Sequence, residues 1–122
     1  MQEIEGIYEI AIPVKRLSRS EAFYMDVLGF TSGIFDEDRR WHFLRVAGDA
    51  GMVVLQEEPE AWRPLHFAFT ADDAQIEAVA ARLRDRHIDV SGPVTHDWMP
   101  ARSIYFDDPD GHQLEVCAPR RE

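Results

Sequence analysis

The two halves of this chain repeat one order of predicted elements, and that repeat limits the folds it can adopt. In the first half, apolar and polar residues alternate over 8–14, which predicts a strand because every second side chain points to the same face of a sheet. A helix should follow, since Ser18 and Glu21 have the spacing of a capping box and Gly29 is suited to end it. Three short apolar runs then predict three strands, over 30–35, 41–46 and 52–56.

The second half starts the same order again. Alternation over 65–70 predicts a strand, and apolar residues at i, i+3, i+4 and i+7 from Ile76 predict a helix that opens at Asp72. Three further strands are expected at Val90, 103–106 and 112–117. The stretch 58–63 breaks both periods, so we interpret it as a linker between a first half, 5–57, and a second half, 64–118, of a single domain that spans 1–122.

This pattern predicts an α+β fold made of two βαβββ modules. Two open four-stranded sheets can join along an edge and curl into a mixed sheet that encloses a cleft, with the helices outside. A cleft of this kind is suited to a small-molecule ligand.

The charge balance excludes one large class of partner. Only 13 basic residues stand against 23 acidic ones, for a formal charge of −10, whereas nucleic-acid binding needs clustered Lys and Arg. No apolar run is long enough to cross a membrane, and the first residues lack the basic and apolar regions of a signal peptide, so we expect a cytoplasmic protein. The one cysteine, Cys117, cannot form an intrachain disulfide.

Three polar residues interrupt the predicted strands on the face opposite the apolar set. That apolar set should pack beneath the helices and comprises Ile10, Ile12, Phe67, Phe69, Leu114 and Val116. Glu9, His66 and Glu115 point the other way, and the small side chains of Ala11 and Ala68 leave space beside them. Two carboxylates and one imidazole could therefore converge on one ligand.

Such a donor set has a definite chemistry. One His with two Glu suits a divalent ion such as zinc, nickel, manganese, cobalt or ferrous iron. A bound ion would polarise a substrate carbonyl or bind an enediolate, while Glu9 or Glu115 takes a proton as the catalytic base. The residues alone leave an alternative open, in which Glu9 is a solvated strand residue, His66 a hydrogen-bonded histidine and Glu115 an exposed edge carboxylate.

Three segments resemble the vicinal-oxygen-chelate superfamily, which includes glyoxalases, bleomycin-resistance proteins and dioxygenases. They are EIAIPVKRLSRSEAFYMDVLGF over 9–30, LHFAFTADD over 65–73, and SIYFDDPDGHQLEV over 103–116. The last is similar to the closing DPDG-x-x-(I/L)-E motif of the family and is the most specific. The resemblance implies that the family's metal-ligand positions are held here by Glu9, His66 and Glu115.

The resemblance also implies a function. It predicts a homodimeric, divalent-metal-dependent enzyme of the lyase or isomerase type, acting on a small oxygenated metabolite. Glyoxalase-type members take a fourth ligand from the last strand of the first half, where Gln56 is the one residue able to coordinate. Glu9 stands where the family most often has His, so a ferrous 2-His-1-carboxylate site of the dioxygenase type is not reproduced.

Further residues are predicted to bind the ligand. Trp98 and Arg102 lie in a region similar to the part of the family that lines the cleft, where an aromatic ring and a guanidinium could clamp a planar or anionic ligand. Trp41, His42 and Tyr105 are predicted to line the same cleft. The alternative function is a metal-free protein that binds a cationic or aromatic natural product such as an antibiotic, which the acidic balance and the tryptophans favour.

Overall fold

The computed structural model describes residues 1–120, and the chain divides into two compact units. Unit 1 comprises Met1–Arg63, and unit 2 begins at Pro64. The elements of unit 1 are β1 (Glu9–Val14), helix α1 (Leu17–Glu21) with its π-helical continuation (Ala22–Val27), β2 (Thr31–Asp36), β3 (Trp41–Arg45) and β4 (Met52–Glu57). Their sheet has the order β1-β4-β3-β2, with β1 parallel to β4 and the other pairs antiparallel.

Unit 2 repeats this arrangement. Its elements are β5 (His66–Thr70), a 3-10 turn (Asp73–Gln75), helix α2 (Ile76–Asp85), β6 (Ser91–Thr95), β7 (Ala101–Asp107) and β8 (Gln113–Pro119). The sheet order is β5-β8-β7-β6, with β5 parallel to β8. The predicted α+β class and the βαβββ order of each half are confirmed. Over residues 1–120, no helix is both long and apolar enough to cross a membrane.

Strand register relates the two units residue by residue. Glu9 and His66 are each the first residue of the first strand of their unit. Ala11 pairs with Val54 across β1 and β4, and Ala68 pairs with Glu115 across β5 and β8. Glu9 of unit 1 therefore corresponds to His66 of unit 2, and Val54 corresponds to Glu115.

Each sheet buries the face that its helix covers. In unit 1, α1 contacts β4, and in unit 2, α2 contacts β6 and β7. The buried apolar residues on these faces include Ile12, Val14, Leu44, Val53 and Leu55 in unit 1, and Phe67, Ile104, Phe106, Leu114 and Val116 in unit 2. Burying one such side chain contributes about 1.5–3 kcal/mol, so this alternation fixes which face carries the polar residues.

The predicted capping box of α1 is not formed. The helix begins at Leu17, so Ser18 lies inside its first turn, and no side chain caps it locally. The N–H of Leu17 instead donates to Oε2 of Glu57 at 2.8 Å, from the end of β4. A distant carboxylate thus serves the helix start, while Gly29, with φ of 77°, follows the helical segment as predicted.

The second strand of unit 2 differs from the expectation. It was expected at Val90, before the Gly92-Pro93 pair, but β6 comprises Ser91–Thr95 and includes that pair. Because β6 is an edge strand and its register shifts between Ser91 and Val94, Pro93 is tolerated despite its missing N–H.

Candidate functional site

The start of β5, which carries His66, is fixed by the DPDG turn. Oδ1 of Asp108 accepts from the backbone N–H groups of Asp110 and His112, both at 2.9 Å. The fully buried His112 then accepts from the N–H of Leu65 through Nδ1 at 2.8 Å. The closing motif of the sequence therefore holds the residue directly before His66 in place.

Glu115 is the centre of the polar face of unit 2. This residue is only 9% exposed, so its carboxylate needs partners to offset the loss of water. Ser103 donates to Oε2 at 2.6 Å, and Nε2 of His66 lies 3.3 Å from Oε1. The carboxylate is therefore held from one side and faces an imidazole on the other.

Two further side chains extend this network. Nε2 of His96 lies 3.0 Å from Oγ of Ser103 and 3.4 Å from the hydroxyl of Tyr105. Since the single proton of Ser103 is given to Glu115, Nε2 of His96 is the donor to Ser103. Sequence reasoning identified Tyr105 but missed Ser103 and His96. Ser103 stands two residues before Tyr105 on the same strand face, and that spacing is the signal that could have found it.

The spacing of His66 and Glu115 fits a metal ion. Two ligand atoms at about 2.0–2.1 Å from one ion lie about 2.8–3.4 Å apart at octahedral to tetrahedral angles, and the 3.3 Å between these two side chains falls in the tetrahedral part of that range. Within residues 1–120, no three His, Cys, Asp or Glu side chains form a cluster that could hold a metal. Unit 2 thus supplies two candidate metal ligands, His66 and Glu115, and a complete metal site needs further ligands in addition to this pair.

The corresponding face of unit 1 carries Glu9. Glu9 pairs with Met52, which pairs with Arg45, so these three side chains share a face. A cleft of about 240 Å³ adjoins Arg45 and Met52. Its lining comprises Ile7, Tyr8, Arg45, Gly48, Asp49, Gly51 and Met52. At the other end of the same face, Gln56 lies opposite the half-buried Trp41.

Two predicted ligand-binding residues lie on the other side of their sheets. His42 is 7% exposed, and its ring contacts Glu21 of α1 and Ser32 of β2. Because β7 alternates, Arg102 points away from the face that carries Ser103.

Arg102 is bound to the helix instead. Its guanidinium binds Glu77 and Asp73, and these hydrogen bonds raise the pKa of Arg102 while the same contact lowers the pKa of Glu77. A clamp of Trp98 with Arg102 does not fit this placement, because the ion pairs occupy the guanidinium. No local pattern predicts these partners, because they are distant in the chain.

The predicted aromatic residues differ in their surroundings. The Trp98 side chain is 80% exposed, and its ring lies 5.8 Å from that of His96, beside the network of Glu115. In unit 1 the guanidinium carbon of Arg39 lies over the ring of Trp41, 5.7 Å from the ring centroid. Of these two tryptophans, Trp98 is therefore the one that lies beside the polar face of unit 2.

Comparison with known proteins agrees with this architecture. The family model described as the Glyoxalase/Bleomycin resistance protein/Dioxygenase superfamily matches residues 6–116. Metallothiol transferase FosB from Staphylococcus saprophyticus is 29% identical over 120 residues, which cover 93% of this chain and 76% of the relative.

Solved structures show the same fold. An integron cassette protein from the mobile metagenome of a Halifax Harbour sewage outfall is 49% identical, with a TM-score of 0.91 over 94% of this chain and 99% of that one. TnmS3, an antibiotic binding protein from Streptomyces sp. CB03234, is 26% identical, with a TM-score of 0.80 over 97% of this chain and 98% of that one.

Proposed function

The chain belongs to the glyoxalase/bleomycin resistance protein/dioxygenase superfamily, and from that premise we propose that it is a divalent-metal-dependent enzyme acting on a small oxygenated molecule. In this proposal His66 and Glu115 are metal ligands and Glu9 is a third. The observation that carries it is the pairing of His66 with the buried Glu115 at a separation suited to one ion. The name of the relative FosB, a metallothiol transferase, also supports a metal.

The charges of the three side chains, and the hydrogen bond from Ser103 to Glu115, support the same assignment. Two carboxylates and a neutral imidazole balance the charge of a divalent ion, so a bound substrate oxygen would meet a site of low net charge. Ser103 keeps Glu115 in one orientation, which is the usual task of a residue that hydrogen-bonds a ligand. When bound, the metal supplies Lewis-acid polarisation of a substrate oxygen.

The chain's own residues would handle the protons. Both oxygens of Glu115 are engaged, one by Ser103 and one facing His66, which leaves Glu9 as the carboxylate to take a substrate proton. On the unit 2 face the hydroxyl of Tyr105 can donate its proton to a substrate oxygen, because Nε2 of His96 is itself a donor and does not take that proton. A lyase or isomerase reaction requires this combination of proton removal and return.

The experiment is a metal analysis of the purified protein followed by thermal-shift titration with zinc, nickel, manganese, cobalt and ferrous ions. An ion at 100 times its dissociation constant stabilises the folded state by about 2.7 kcal/mol, so a clear rise in Tm is expected. His66→Ala and Glu115→Ala should abolish the rise. Gln113→Ala, an exposed change on the same strand face as Glu115, should keep it. A full metal response in both ligand variants would disprove the assignment.

We also propose that the protein is a cytoplasmic homodimer. Large apolar side chains are exposed in unit 1, among them Ile4, Ile7, Tyr8 and Ile34, and association would cover such surface. Light scattering coupled to gel filtration should give twice the mass of one 14.1 kDa chain. A mass of one chain at micromolar concentration would contradict the dimer.

A second candidate is a metal-free binder of an aromatic antibiotic. The highly exposed Trp98 favours it, because a solvent-facing indole is a stacking surface, and TnmS3 is an antibiotic binding protein of the same fold. Tryptophan fluorescence should then respond to aromatic antibiotics in the presence of a chelator, and Trp98→Ala should remove the response. Binding that requires a divalent ion would favour the enzyme instead.

A further inference from the structure

Two short hydrogen bonds link three side chains from three elements of unit 1. Glu21 ends α1, His42 lies on β3, and Ser32 lies on the edge strand β2. Oε2 of Glu21 is 2.6 Å from Nδ1 of His42, and Nε2 of His42 is 2.6 Å from Oγ of Ser32. The three side chains therefore form a continuous acid–imidazole–hydroxyl relay.

The direction of the protons in this relay follows from its acid end. An ionised carboxylate only accepts, so in the neutral form of His42 the proton is on Nδ1 and the lone pair is on Nε2. The hydroxyl of Ser32 then donates to that lone pair. Its other acceptor, the carbonyl oxygen of Gly33, is farther away at 3.4 Å. This is the arrangement in which a histidine acts as general base toward a serine.

Burial divides the relay into a shielded base and an accessible nucleophile. His42 is buried, and the ring of Phe35 meets it edge-on at 5.2 Å. Ser32 is exposed. The register of β2 against β3 shifts directly after Ser32, and a side chain on Gly33 would come within 2.8 Å of the carbonyl oxygen of Phe43. Such a bulge re-aims a neighbouring side chain.

Ser103 and His96 form another Ser–His pair, and it differs from Ser32 and His42 in the direction of its hydrogen bonds. Ser103 is fully buried, gives its proton to Glu115 and accepts from His96, so its oxygen is not activated. The position that corresponds to His42 in unit 2 is Ile104, since each pairs with the corresponding residue of the last strand. The fold therefore does not require a histidine at this position.

We propose that Ser32, His42 and Glu21 form a second reactive site, at which Ser32 accepts acyl groups from activated esters without the help of a metal. Oγ forms a bond to the ester carbonyl carbon while the bond to the leaving alkoxide breaks. Nε2 of His42 takes the hydroxyl proton and returns it to the leaving group. Water then hydrolyses the acyl-serine by the same route, which regenerates the hydroxyl. Activated esters suit an open strand edge, because their leaving groups need little stabilisation.

The experiment uses the full chain in a chelator, which separates this site from the metal-dependent function. A fluorophosphonate probe transfers phosphonate to Oγ with loss of fluoride, and peptide mapping by mass spectrometry should place the adduct on Ser32. Ser32→Ala should lose it, and His42→Gln should slow labelling by about 100-fold or more. Ser91→Ala, a change to an exposed serine on the edge strand of unit 2, should label like the wild type.

Hydrolysis of p-nitrophenyl acetate gives the second readout, with an expected acyl-enzyme mass on Ser32. Thermal melting must first show that His42→Gln is folded. If it is not, Glu21→Gln replaces it, with labelling expected to slow about tenfold or more. The absence of an adduct on Ser32, or wild-type labelling in a folded relay variant, would overturn the proposal.

Discussion

The two units share strand order and register, yet their polar networks lie on opposite faces of the sheet. In unit 2 the network of Glu115, Ser103 and His96 is on the face away from α2. In unit 1 the network of Glu21 and His42 lies between the sheet and α1. The alternation of side chains along a strand decides which positions are buried. A buried position accepts a polar side chain where neighbouring residues supply hydrogen-bond partners.

Corresponding positions make this difference explicit. The pairs, unit 1 first, are Glu9 and His66, Val54 and Glu115, Phe43 and Tyr105, Trp41 and Ser103, and His42 and Ile104. Four of these lie on the face opposite the helices, where unit 1 is largely apolar and unit 2 is polar. The unit 1 face is suited to contact apolar groups, and the unit 2 face is suited to bind polar atoms.

The largest loss of stability is expected from a change at Ile104, the apolar residue of the corresponding pair His42 and Ile104. Ile104→Ala should destabilise the protein by about 2–5 kcal/mol, because the side chain is fully buried and leaves a cavity. Urea denaturation gives the change in free energy of unfolding. The exposed Val94→Ala, on the neighbouring strand, should stay within about 0.5 kcal/mol. A loss below 1 kcal/mol for Ile104→Ala would show that this position is not a core position.

The polar face of unit 2 is tested next by Ser103→Ala. Oε2 of Glu115 then loses its donor in a buried setting, which costs about 1–3 kcal/mol in stability. In the proposed metal site the same change should weaken ion affinity about tenfold or more, since the ligand is no longer oriented. Isothermal titration with zinc measures that affinity. Unchanged stability and affinity would show that Glu115 is held by other contacts.

A smaller loss of stability is expected when His42 of unit 1 is replaced by isoleucine, the residue that unit 2 has at the corresponding position. His42→Ile removes two hydrogen bonds, but Ser32 is exposed and Glu21 is partly exposed, so water can satisfy both. The loss of stability should stay within about 1.5 kcal/mol. Chemical denaturation is the measurement. A loss above 3 kcal/mol would mean that the imidazole is needed for folding, and the two positions would then not be comparable.

Sequence patterns predicted the parts of the molecule that depend on alternation. The strands and the facing of Glu9, His66 and Glu115 followed from a period of two, since a strand has only two faces. The partners of polar side chains did not follow. Arg102 meets Asp73 across a separation of 29 residues, and His42 meets Glu21 across 21. Such contacts depend on how a helix lies on its sheet, which no local pattern encodes.

The cap at the start of α1 is another contact that no local pattern predicts. The loss of this cap is expected to have the smallest effect on stability. In unit 2 the cap is local, since Asp72 accepts from the N–H of Ala74 in the 3-10 turn that leads into α2. In unit 1 it comes from Glu57, across 40 residues, and the N–H of Leu17, followed by the side chain of Arg40, lowers the pKa of Glu57. A carboxyl whose pKa is lowered by folding contributes stability above its unfolded pKa of about 4.3, and that contribution is lost as pH falls through the folded value.

Glu57→Ala should therefore cost about 1 kcal/mol at pH 7, as the loss of a helix cap does, and the difference from the wild type should shrink as the pH falls below about 4. Denaturation curves across pH 3–7 measure it. Asp72→Ala is the matched change in unit 2, where the neighbouring N–H groups remain open to water. A Glu57→Ala cost that does not change with pH would mean that the side chain acts through packing and not through its charge, and that the two helix starts are stabilised by different physics.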